Sequence, residues 1–459
     1  MITQDQKNTL YKLKEVLDYH NYSTLMSLAI GEGVYYKNPL PEYNSVIAAI
    51  KKLPSKAQSL GRFFALGIPI QKKEMAKYFD GCIIEELKNM DIVNYDDDYI
   101  WMNNLILISY YNCYFIVGNV YYYPTCQSKE QVPYVGPDSY WLSRMIVNNV
   151  KGKVLDLCSG SGIQAILSAR TADRVVAVDI DLQAVKFIEV NACLNGLSSK
   201  IVAKHGNLFD VIGEEKFDYI IANPPFIPIP SDINFPLAGD GGVAGDSVIE
   251  CILESCGHHM HFDSELIMIG QTIGDEKKAF LTDLVKKHFG NGQISLTYHS
   301  KTIIEHQAEE VAKLCNILNH TNVDSNIWTN HYKKIGATYF YSFMLKIKKN
   351  DNHLLNEEYF DDSWLRSDVP VMEGSWKKAY DCYALVANGK QSIVVDEEVI
   401  EFIKRIDGSQ SLEQIIGSMP MKYKVRYGEN YRVKMLAKYI VLCSFLEHNS
   451  IMLKNKIHR

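Results

Sequence analysis

The sequence has no long uncharged apolar run and no pair of cysteines at C-x-x-C spacing. A transmembrane helix needs about 20 consecutive apolar residues, so the pattern predicts no membrane span. The ten cysteines stand singly, which indicates neither a zinc site nor a disulfide framework and favours a reducing compartment. The opening stretch, MITQDQKNTLYKLKEVLDYH, lacks the apolar core of a secretory signal. We therefore expect a cytoplasmic protein.

Positive charge is also scarce. The 459 residues include 48 Lys and Arg against 54 Asp and Glu, which gives a formal net charge of −6, and Lys and Arg form no long run. This balance argues against a broadly basic nucleic-acid surface, although a local basic patch would survive the average. The length exceeds one ordinary domain and predicts about two to four domains of a soluble globular protein.

The middle of the chain alternates short apolar runs with helical patterns. Strands are predicted at Lys153–Leu157, Arg174–Val178, Ile201–Lys204, Asp218–Ala222 and Leu266–Gly270. Such alternation is typical of a parallel sheet with right-handed crossovers. A later pair of runs, Ile294–Ser300 and Thr338–Ile347, predicts an antiparallel edge hairpin, and the core should end near Lys349.

Two of these apolar runs end in small polar loops. VLDLCSGSG (Val154 to Gly162) ends in a Gly- and Ser-rich turn, and DYIIANPPF (Asp218 to Phe226) ends in Asn-Pro-Pro-Phe. Open α/β sheets bind their ligands at the carboxyl ends of parallel strands, where both loops are expected. A Gly-rich turn alone is a weak signal, because NAD-binding folds use a similar one.

Together the two loops resemble those of the Rossmann-like S-adenosylmethionine-dependent methyltransferases, in the HemK-like branch that carries (N/D)PP(Y/F). The resemblance implies an α/β fold with a mostly parallel sheet and an antiparallel edge hairpin, flanked by small winged-helix-like α+β domains. It also implies S-adenosyl-L-methionine as the methyl donor.

The resemblance assigns a set of donor-binding residues. In the first loop, small residues would let the backbone approach the methionine part of the donor, and the following helix terminus would favour its carboxylate. Asp179, at the end of the second strand, would accept hydrogen bonds from both ribose hydroxyls; the alternative is an exposed acid at a strand end. The cofactor-binding set comprises Asp156, Cys158, Ser159, Gly160, Gly162, Asp179, Ile180, Asn207, Leu208 and Asn223.

The Asn-Pro-Pro-Phe loop supplies the predicted catalytic residues, Asn223, Pro224, Pro225 and Phe226. A planar amino acceptor must turn its lone pair toward the sulfonium, and the Asn223 side-chain oxygen with the Pro224 carbonyl could accept its two N–H bonds. The prolines would fix the backbone, and the Phe226 ring could stack on a flat acceptor. The alternative is an ordinary strand-end turn.

Two further segments supply the predicted substrate-binding residues. In HemK-like enzymes the segment before the first core strand closes over donor and substrate, although an aromatic packing segment is an equal alternative here. A Gly-rich acidic loop after the Asn-Pro-Pro-Phe motif could cover the acceptor, or could only cap the next helix with Asp246. The substrate-binding set comprises Tyr134, Ser139, Phe226, Asp240, Gly241 and Gly242.

Four regions are predicted along the chain. Residues 1–120 form a helical, winged-helix-like substrate or partner domain, 121–349 the S-adenosylmethionine-dependent methyltransferase domain, 350–375 a linker, and 376–459 a small α+β domain that resembles the PqqD-like family. The last resemblance rests on VVDEEV and IDGSQSLEQI, with Ser411 capping a helix. The wing carries Asp96, Asp97 and Asp98, which would repel phosphates.

The predicted activity is therefore methyl transfer to an amide or amino nitrogen of a peptide or natural-product substrate, with no membrane partner. One alternative is a base-amino methyltransferase of nucleic acids, which the acidic charge disfavours. Others are a small-molecule O-methyltransferase and a donor-binding protein without turnover. The run CGHHMH is interpreted as a helix end, so no metal site is predicted. The sequence does not define an oligomeric state.

Overall fold

The computed structural model describes residues 2–23, 55–119, 133–289, 292–319 and 321–359, together with shorter stretches between 26 and 53 and between 369 and 455. Contacts divide the chain into two compact units. One combines Met1–Ser23 with Pro54–Phe360, and the other combines Thr24–Leu53 with Asp361–Arg459. The four-region division of the sequence stays a prediction.

The first unit begins with helices and short strands. In chain order they are α1 (Gln4–Tyr19), α2 (Ser55–Leu60), β1 (Ile70–Gln71), α3 (Lys72–Met75), α4 (Gly81–Asn89), β2 (Val93–Tyr95), β3 (Tyr99–Met102), β4 (Leu105–Tyr110) and β5 (Cys113–Gly118). Helix α1 begins at a capping box in which Thr3 and Gln6 satisfy each other's backbone N–H groups. Its apolar positions Leu10, Leu13 and Leu17 are buried, as their helical spacing predicts.

Strands β1, β3 and β2 form a three-stranded sheet, and β4 pairs with β5 in a separate hairpin. The acidic residues of the predicted wing lie in the turn between β2 and β3. Asp96 Oδ1 accepts hydrogen bonds from the Asp98 and Tyr99 backbone N–H groups, at 2.9 and 2.7 Å. These bonds hold the pKa of the Asp96 carboxyl below its usual value, so the Asp96 carboxylate stabilises the turn. The winged-helix assignment stays a prediction.

The centre of the first unit is an eight-stranded sheet with the order β13-β11-β12-β10-β9-β6-β7-β8. Its strands are β6 (Lys153–Leu157), β7 (Arg174–Asp179), β8 (Ile201–His205), β9 (Phe217–Ala222), β10 (Met260–Gly274), β11 (Gly292–Ile303), β12 (Tyr339–Lys348) and β13 (His353–Tyr359). All neighbours are parallel except β12, which runs antiparallel to both β10 and β11. The predicted fold class, a mostly parallel Rossmann-like α/β sheet, is confirmed.

Seven helices accompany the central sheet. They are α5 (Pro137–Ile146), α6 (Ile163–Ala169), α7 (Leu182–Leu194), α8 (Ser247–Cys256), α9 (Leu281–His288), α10 (Ile304–Asn319) and α11 (Ser325–Lys334). Residues of β6, β7, β9 and β10 join one buried cluster with α8 and α9. The inner residues Val175–Val178 of β7 and Ile220–Ala222 of β9 are apolar and buried because a parallel sheet is covered on both faces.

The structure differs from the sequence prediction at one side of the sheet. The predicted antiparallel pair is present as β11 and β12, but α10 and α11 are inserted between the two strands. His353–Tyr359, expected in the linker, form β13 instead and pair with β11. Most side chains of β13 are exposed, so its sequence carries no apolar alternation from which a strand could be predicted.

The described part of the second unit consists of small sheets and short helices. Strands β14 (Val369–Met372) and β18 (Met452–Asn455) pair with each other, and β15 (Ser375–Ala379), β16 (Cys382–Ala387) and β17 (Lys390–Val395) form an antiparallel sheet. The helices are α12 (Glu397–Ile403), α13 (Leu412–Ser418) and α14 (Met421–Val425). Ser411 caps α13 as predicted. None of the helices in the described ranges is both long and apolar enough to cross a bilayer.

Candidate functional site

A cavity of about 370 Å³ opens where β6, β7 and β9 end. The chain runs outward from β6 to β7 and β8 on one side, and from β9 to β10 on the other. The cavity therefore lies at the topological switch point of the sheet, which is where open α/β sheets bind ligands.

One end of the cavity is formed by the turn after β6 and the end of β7. The Asp179 carboxylate connects the two, because its Oδ2 accepts a hydrogen bond from the Gly160 N–H at 2.7 Å and its Oδ1 accepts one from the Asp181 N–H at 2.9 Å. A carboxylate can accept about four hydrogen bonds, so Asp179 keeps acceptor capacity for a ligand. Gly160 has a φ of +52°, a conformation that favours glycine.

Asp156 lies beneath this turn and is only 1% exposed. Its Oδ2 has no hydrogen-bond partner among the described residues. Burial raises the pKa of Asp156 to about 8 and also raises the pKa of Asp179. The same cause raises the pKa of the Cys158 thiol, so this side chain stays neutral. The turn thus has a carboxylate at its edge and a proton-holding carboxyl underneath.

Three further predicted residues line the same end. Ile180 is half exposed and presents an apolar side chain, while Asn207 and Leu208 come from the loop after β8. The Gly206 N–H donates to the Asp179 carbonyl at 3.0 Å and fastens that loop to the end of β7. An apolar face beside amide groups suits a flat heterocycle.

Asn223 lies at the other end of the cavity, directly after β9. Its Nδ2 donates to Asp138 Oδ2 at 2.8 Å and approaches Ser139 Oγ at 3.4 Å. Because a carboxylate can only accept hydrogen bonds, the nitrogen of the amide must face Asp138 and the oxygen must face away. The Oδ1 atom is buried and has no hydrogen-bond partner in the described part of the chain. The cavity wall therefore contains a buried acceptor whose hydrogen-bond partner the described residues do not supply.

The rest of the Asn-Pro-Pro-Phe loop also lines the cavity. The Phe226 ring packs against the buried cluster of the sheet. A Cβ atom at Gly270 would lie 3.3 Å from Phe226 and 3.0 Å from Phe343, so the absence of a side chain at this position makes room for both rings. The neighbouring strand β10 thereby helps to set the position of the Phe226 ring.

The predicted Gly-rich acidic loop supports the motif from behind. A Cβ atom at Gly241 would lie 2.8 Å from the Phe226 backbone, so only glycine permits this close approach. The Gly241 N–H donates to the Ile227 carbonyl at 3.0 Å, and the Gly242 N–H donates to Asp240 Oδ1 at 2.8 Å. Of these loop residues, Asp240 lines the cavity.

The structure brings most of the predicted site residues to this one cavity. Its wall includes Tyr134, Ser139, Cys158, Ser159, Gly160, Asp179, Ile180, Asn207, Leu208, Asn223, Pro224, Pro225, Phe226 and Asp240. Four predicted residues lie outside the wall: Asp156, Gly162, Gly241 and Gly242. Asp156 is buried under the turn, and Gly162 is the N-cap residue of α6. Gly241 and Gly242 lie in the Gly-rich loop, where the Gly241 N–H donates to the Ile227 carbonyl.

Sequence reasoning missed several residues of the wall, notably Asp138, Gln164 and Leu314. Asp138 stands beside the predicted Ser139, at the start of a helix that Pro137 begins, and this helix-start pattern could have identified it. Gln164 donates from Nε2 to the Ser139 carbonyl at 3.0 Å. Leu314 comes from α10, inserted between two strands, and no local signal connects it to the site.

Within the described ranges, no group of three or more His, Cys, Asp or Glu side chains is placed to hold a metal ion. In the run CGHHMH, His259 Nδ1 lies 2.9 Å from the Glu215 carbonyl, and its ring stacks on Phe209. His259 is therefore held by packing and a backbone contact.

A family model described as "Methyltransferase small domain" matches residues 135–295. The "Ribosomal protein uL3 glutamine methyltransferase" of Bradyrhizobium diazoefficiens is 37% identical over 125 residues, 25% of this chain and 39% of that protein. A "Putative protein N5-glutamine methyltransferase" of Methanocaldococcus jannaschii is 28% identical over 148 residues, 31% of this chain and 73% of that protein. The solved ribosomal protein L11 methylase of Lactobacillus delbrueckii subsp. bulgaricus has a TM-score of 0.28 and 17% identity, covering 50% of this chain and 89% of that one.

The matched range contains β6 to β10 and most of the cavity wall. The match supports methyl transfer with S-adenosylmethionine as the methyl donor of this part of the chain. The domain bounds 121–349 stay a prediction. The chain spans less than half the length of the first curated relatives that it matches.

The raised carboxyl pKa values predict a pH dependence of donor binding. Below pH about 8 Asp156 holds its proton, and above that value it is ionised and attracts the positively charged donor. We expect the affinity for S-adenosylmethionine to rise as the pH passes through about 8, measured by calorimetry. Asp156→Asn should flatten this rise; a flat profile in the unchanged protein would contradict the assignment.

The Asp156 carboxyl also affects the free energy of unfolding, with a pH dependence opposite to that of donor binding. Its pKa is higher in the folded protein than in the unfolded chain, so its contribution to the free energy of unfolding is fully present only below the unfolded pKa. That contribution is lost as the pH rises through about 8. Binding and folding should thus respond to pH in opposite directions.

Proposed function

We propose that this protein transfers the methyl group of S-adenosylmethionine to an amide or amino nitrogen of a peptide substrate. One observation carries the proposal: Asn223 has its Nδ2 fixed by Asp138 and its Oδ1 buried in the cavity wall without a hydrogen-bond partner among the described residues. A buried unpaired acceptor costs about 1–3 kcal/mol unless a ligand satisfies it. The ligand that satisfies it must carry a hydrogen-bond donor, as an amide or amino nitrogen does.

The residues at the other end of the cavity fit the donor. Bound S-adenosylmethionine supplies a methyl group on a sulfonium sulfur, which a nitrogen lone pair can attack. Asp179 has lone pairs left for the two ribose hydroxyls after it has accepted from Gly160 and Asp181. The Ile180 side chain offers an apolar surface to the adenine. Asn207 offers an amide to the edge of that ring.

The acceptor end contributes mainly by positioning. The Asn223 Oδ1 accepts one N–H bond of the substrate, and we assign the second to the Pro224 carbonyl. With both hydrogens held in this way, the nitrogen lone pair is turned toward the methyl group. Phe226 supplies an apolar wall for a flat group. Such fixed geometry removes much of the entropic barrier, and the methylated nitrogen can release its extra proton to water, so the site needs no strong general base.

A primary side-chain amide of a peptide is favoured over other nitrogen acceptors. A primary amide has two N–H bonds and a flat shape, which suit Asn223 and Phe226 together. The names of the two curated relatives given above describe them as protein glutamine methyltransferases, one of them as a putative one. The formal net charge of −6 and the acidic turn at Asp96–Asp98 disfavour a phosphate backbone as the partner.

The substrate class can be tested by following a labelled methyl group. Extract from the cell of origin, freed of endogenous donor, would be incubated with the protein and methyl-labelled S-adenosylmethionine, then separated into protein, peptide and nucleic-acid fractions. The proposal expects label in the protein or peptide fraction. Label confined to nucleic acid, with binding that weakens steeply as salt rises, would support the base-amino alternative instead.

We further propose that the carboxyl-terminal region helps to select the substrate. Deleting Trp376–Arg459 should raise the substrate concentration needed for half-maximal rate and leave the dissociation constant of S-adenosylmethionine unchanged. The motivation is the PqqD-like pattern around Ser411, whose capped helix buries Ile415 and Ile416. Steady-state kinetics of the shortened chain decide it, since unchanged substrate dependence would give the region a purely structural role.

A further inference from the structure

Two asparagines, one on α7 and one at its C-cap, hold the outer edge of the β4–β5 hairpin. Asn191 Oδ1 accepts from the Ile116 N–H at 2.7 Å, and its Nδ2 donates to the Ile116 carbonyl at 3.0 Å. Asn195, the C-cap residue that follows α7, makes the same pair of bonds with Tyr114, at 2.9 and 2.6 Å. Each side-chain amide thus takes the place of a paired residue on a neighbouring strand, along an edge of β5 that pairs with no other described strand.

One of the two asparagines also reaches the donor turn. Asn191 Nδ2 donates a second hydrogen bond, to the Ser161 carbonyl at 3.0 Å, and Ser161 lines the cavity. Asn191 is fully buried, so the oxygen and the nitrogen of its side-chain amide both depend on these partners for hydrogen bonds. At the next residue, a Cβ atom on Gly162 would lie 3.1 Å from Ile188 of α7. Helix α7 therefore supports the turn at two adjacent positions.

The hairpin contacts the same end of the cavity by a second route. The Gly118 N–H, at the end of β5, donates to the Pro133 carbonyl at 2.9 Å. Pro133 lines the cavity, and its Cβ lies 3.8 Å from where a Cβ atom on Gly160 would stand. Strand β5 thus contacts the turn in two ways. It binds Pro133, which lies next to Gly160, and it binds Asn191, which donates to the Ser161 carbonyl.

We propose that the β4–β5 hairpin is part of the donor site, and that Asn191 is the positioning residue through which it sets the shape of the Ser159–Gly162 turn. This inference rests on the proposed function, since it takes S-adenosylmethionine as the ligand of the turn. The amino-terminal region would then contribute to donor affinity as well as to substrate choice. By linkage, donor binding must stabilise the hairpin contact to the same extent.

A matched pair of substitutions tests the inference. Asn191→Ala and Asn195→Ala each remove one pair of hydrogen bonds to the backbone of β5, and both should lower the melting temperature. Only Asn191→Ala also releases the Ser161 carbonyl, so it should raise the dissociation constant of S-adenosylmethionine at least fivefold, against less than twofold for Asn195→Ala. Calorimetry measures both constants. Equal donor affinity in the two variants would overturn the role of Asn191.

A measurement on the unchanged protein covers the case in which Asn191→Ala does not fold. Hydrogen–deuterium exchange with and without S-adenosylhomocysteine should show slower exchange of β5, Cys113–Gly118, when the ligand is bound. The β2–β3 hairpin, Val93–Met102, serves as the internal control and should not change. Ligand binding without protection of β5 would overturn the inference. No binding of S-adenosylhomocysteine or S-adenosylmethionine at all would instead refute the proposed function.

Discussion

Replacing Asn223 by Ala should lower the turnover number roughly 100- to 1000-fold while the dissociation constant of S-adenosylmethionine stays within about twofold. The size of the effect follows from the loss of a fixed acceptor that aligns the reacting nitrogen. Donor affinity should survive because we assign the ribose and methionine contacts to the turn after β6 and the end of β7, where Asp179 accepts from Gly160 and Asp181. Single-turnover rates and calorimetry measure the two quantities separately.

Asp138 provides the control for this prediction, because it fixes the Asn223 amide. Asp138→Asn keeps an oxygen that can accept from Asn223 Nδ2, whereas Asp138→Leu removes it and frees the amide to rotate. We expect the Asn variant to keep most of the turnover and the Leu variant to approach Asn223→Ala. An Asn223→Ala protein with nearly full turnover would show that the loop does not hold the acceptor.

The second large effect is expected at the donor end. Asp179→Ala should weaken S-adenosylmethionine binding by roughly 1–3 kcal/mol, about 5- to 150-fold, because the ribose hydroxyls lose their acceptor in a partly buried site. The substitution also frees the Gly160 and Asp181 N–H groups, which loosens the turn itself. Calorimetric titration of the purified variant gives the value.

Asp179→Asn separates these two causes. An asparagine keeps one oxygen for either a backbone N–H or a ribose hydroxyl, so its affinity should fall between that of the unchanged protein and that of the Ala variant. Unchanged affinity in Asp179→Ala would remove this residue from the donor site. Preferential binding of NAD by the unchanged protein would contradict the whole assignment.

The sequence predicts the parts of the site that are local in the chain. Asn223 to Phe226 and the turn around Gly160 directly follow buried apolar strands, so their place at the edge of the sheet follows from the local sequence. The core strands could be predicted from their apolar runs, since a strand covered on both faces is largely apolar. Lys153–Leu157, for example, has the same bounds in the prediction and in the structure.

What could not be predicted depends on contacts between distant segments. Asp138 meets Asn223 across 85 positions, and Asn191 meets Ile116 across 75. Nothing in the local sequence of an asparagine on an apolar helix shows whether it holds a strand or faces solvent. Leu314 reaches the cavity only because two helices are inserted between β11 and β12. Strand β13 is exposed along most of its length and has no apolar pattern.

The most direct test of the central claim is the identity of the methylated atom. Peptides labelled by the unchanged protein with methyl-deuterated S-adenosylmethionine would be sequenced by tandem mass spectrometry, with Asn223→Ala as the control. We predict a single methyl group on a side-chain amide or amino nitrogen, stable to mild base, and no label with the variant. A base-labile methyl ester, a methyl group on carbon, or equal labelling by Asn223→Ala would contradict it.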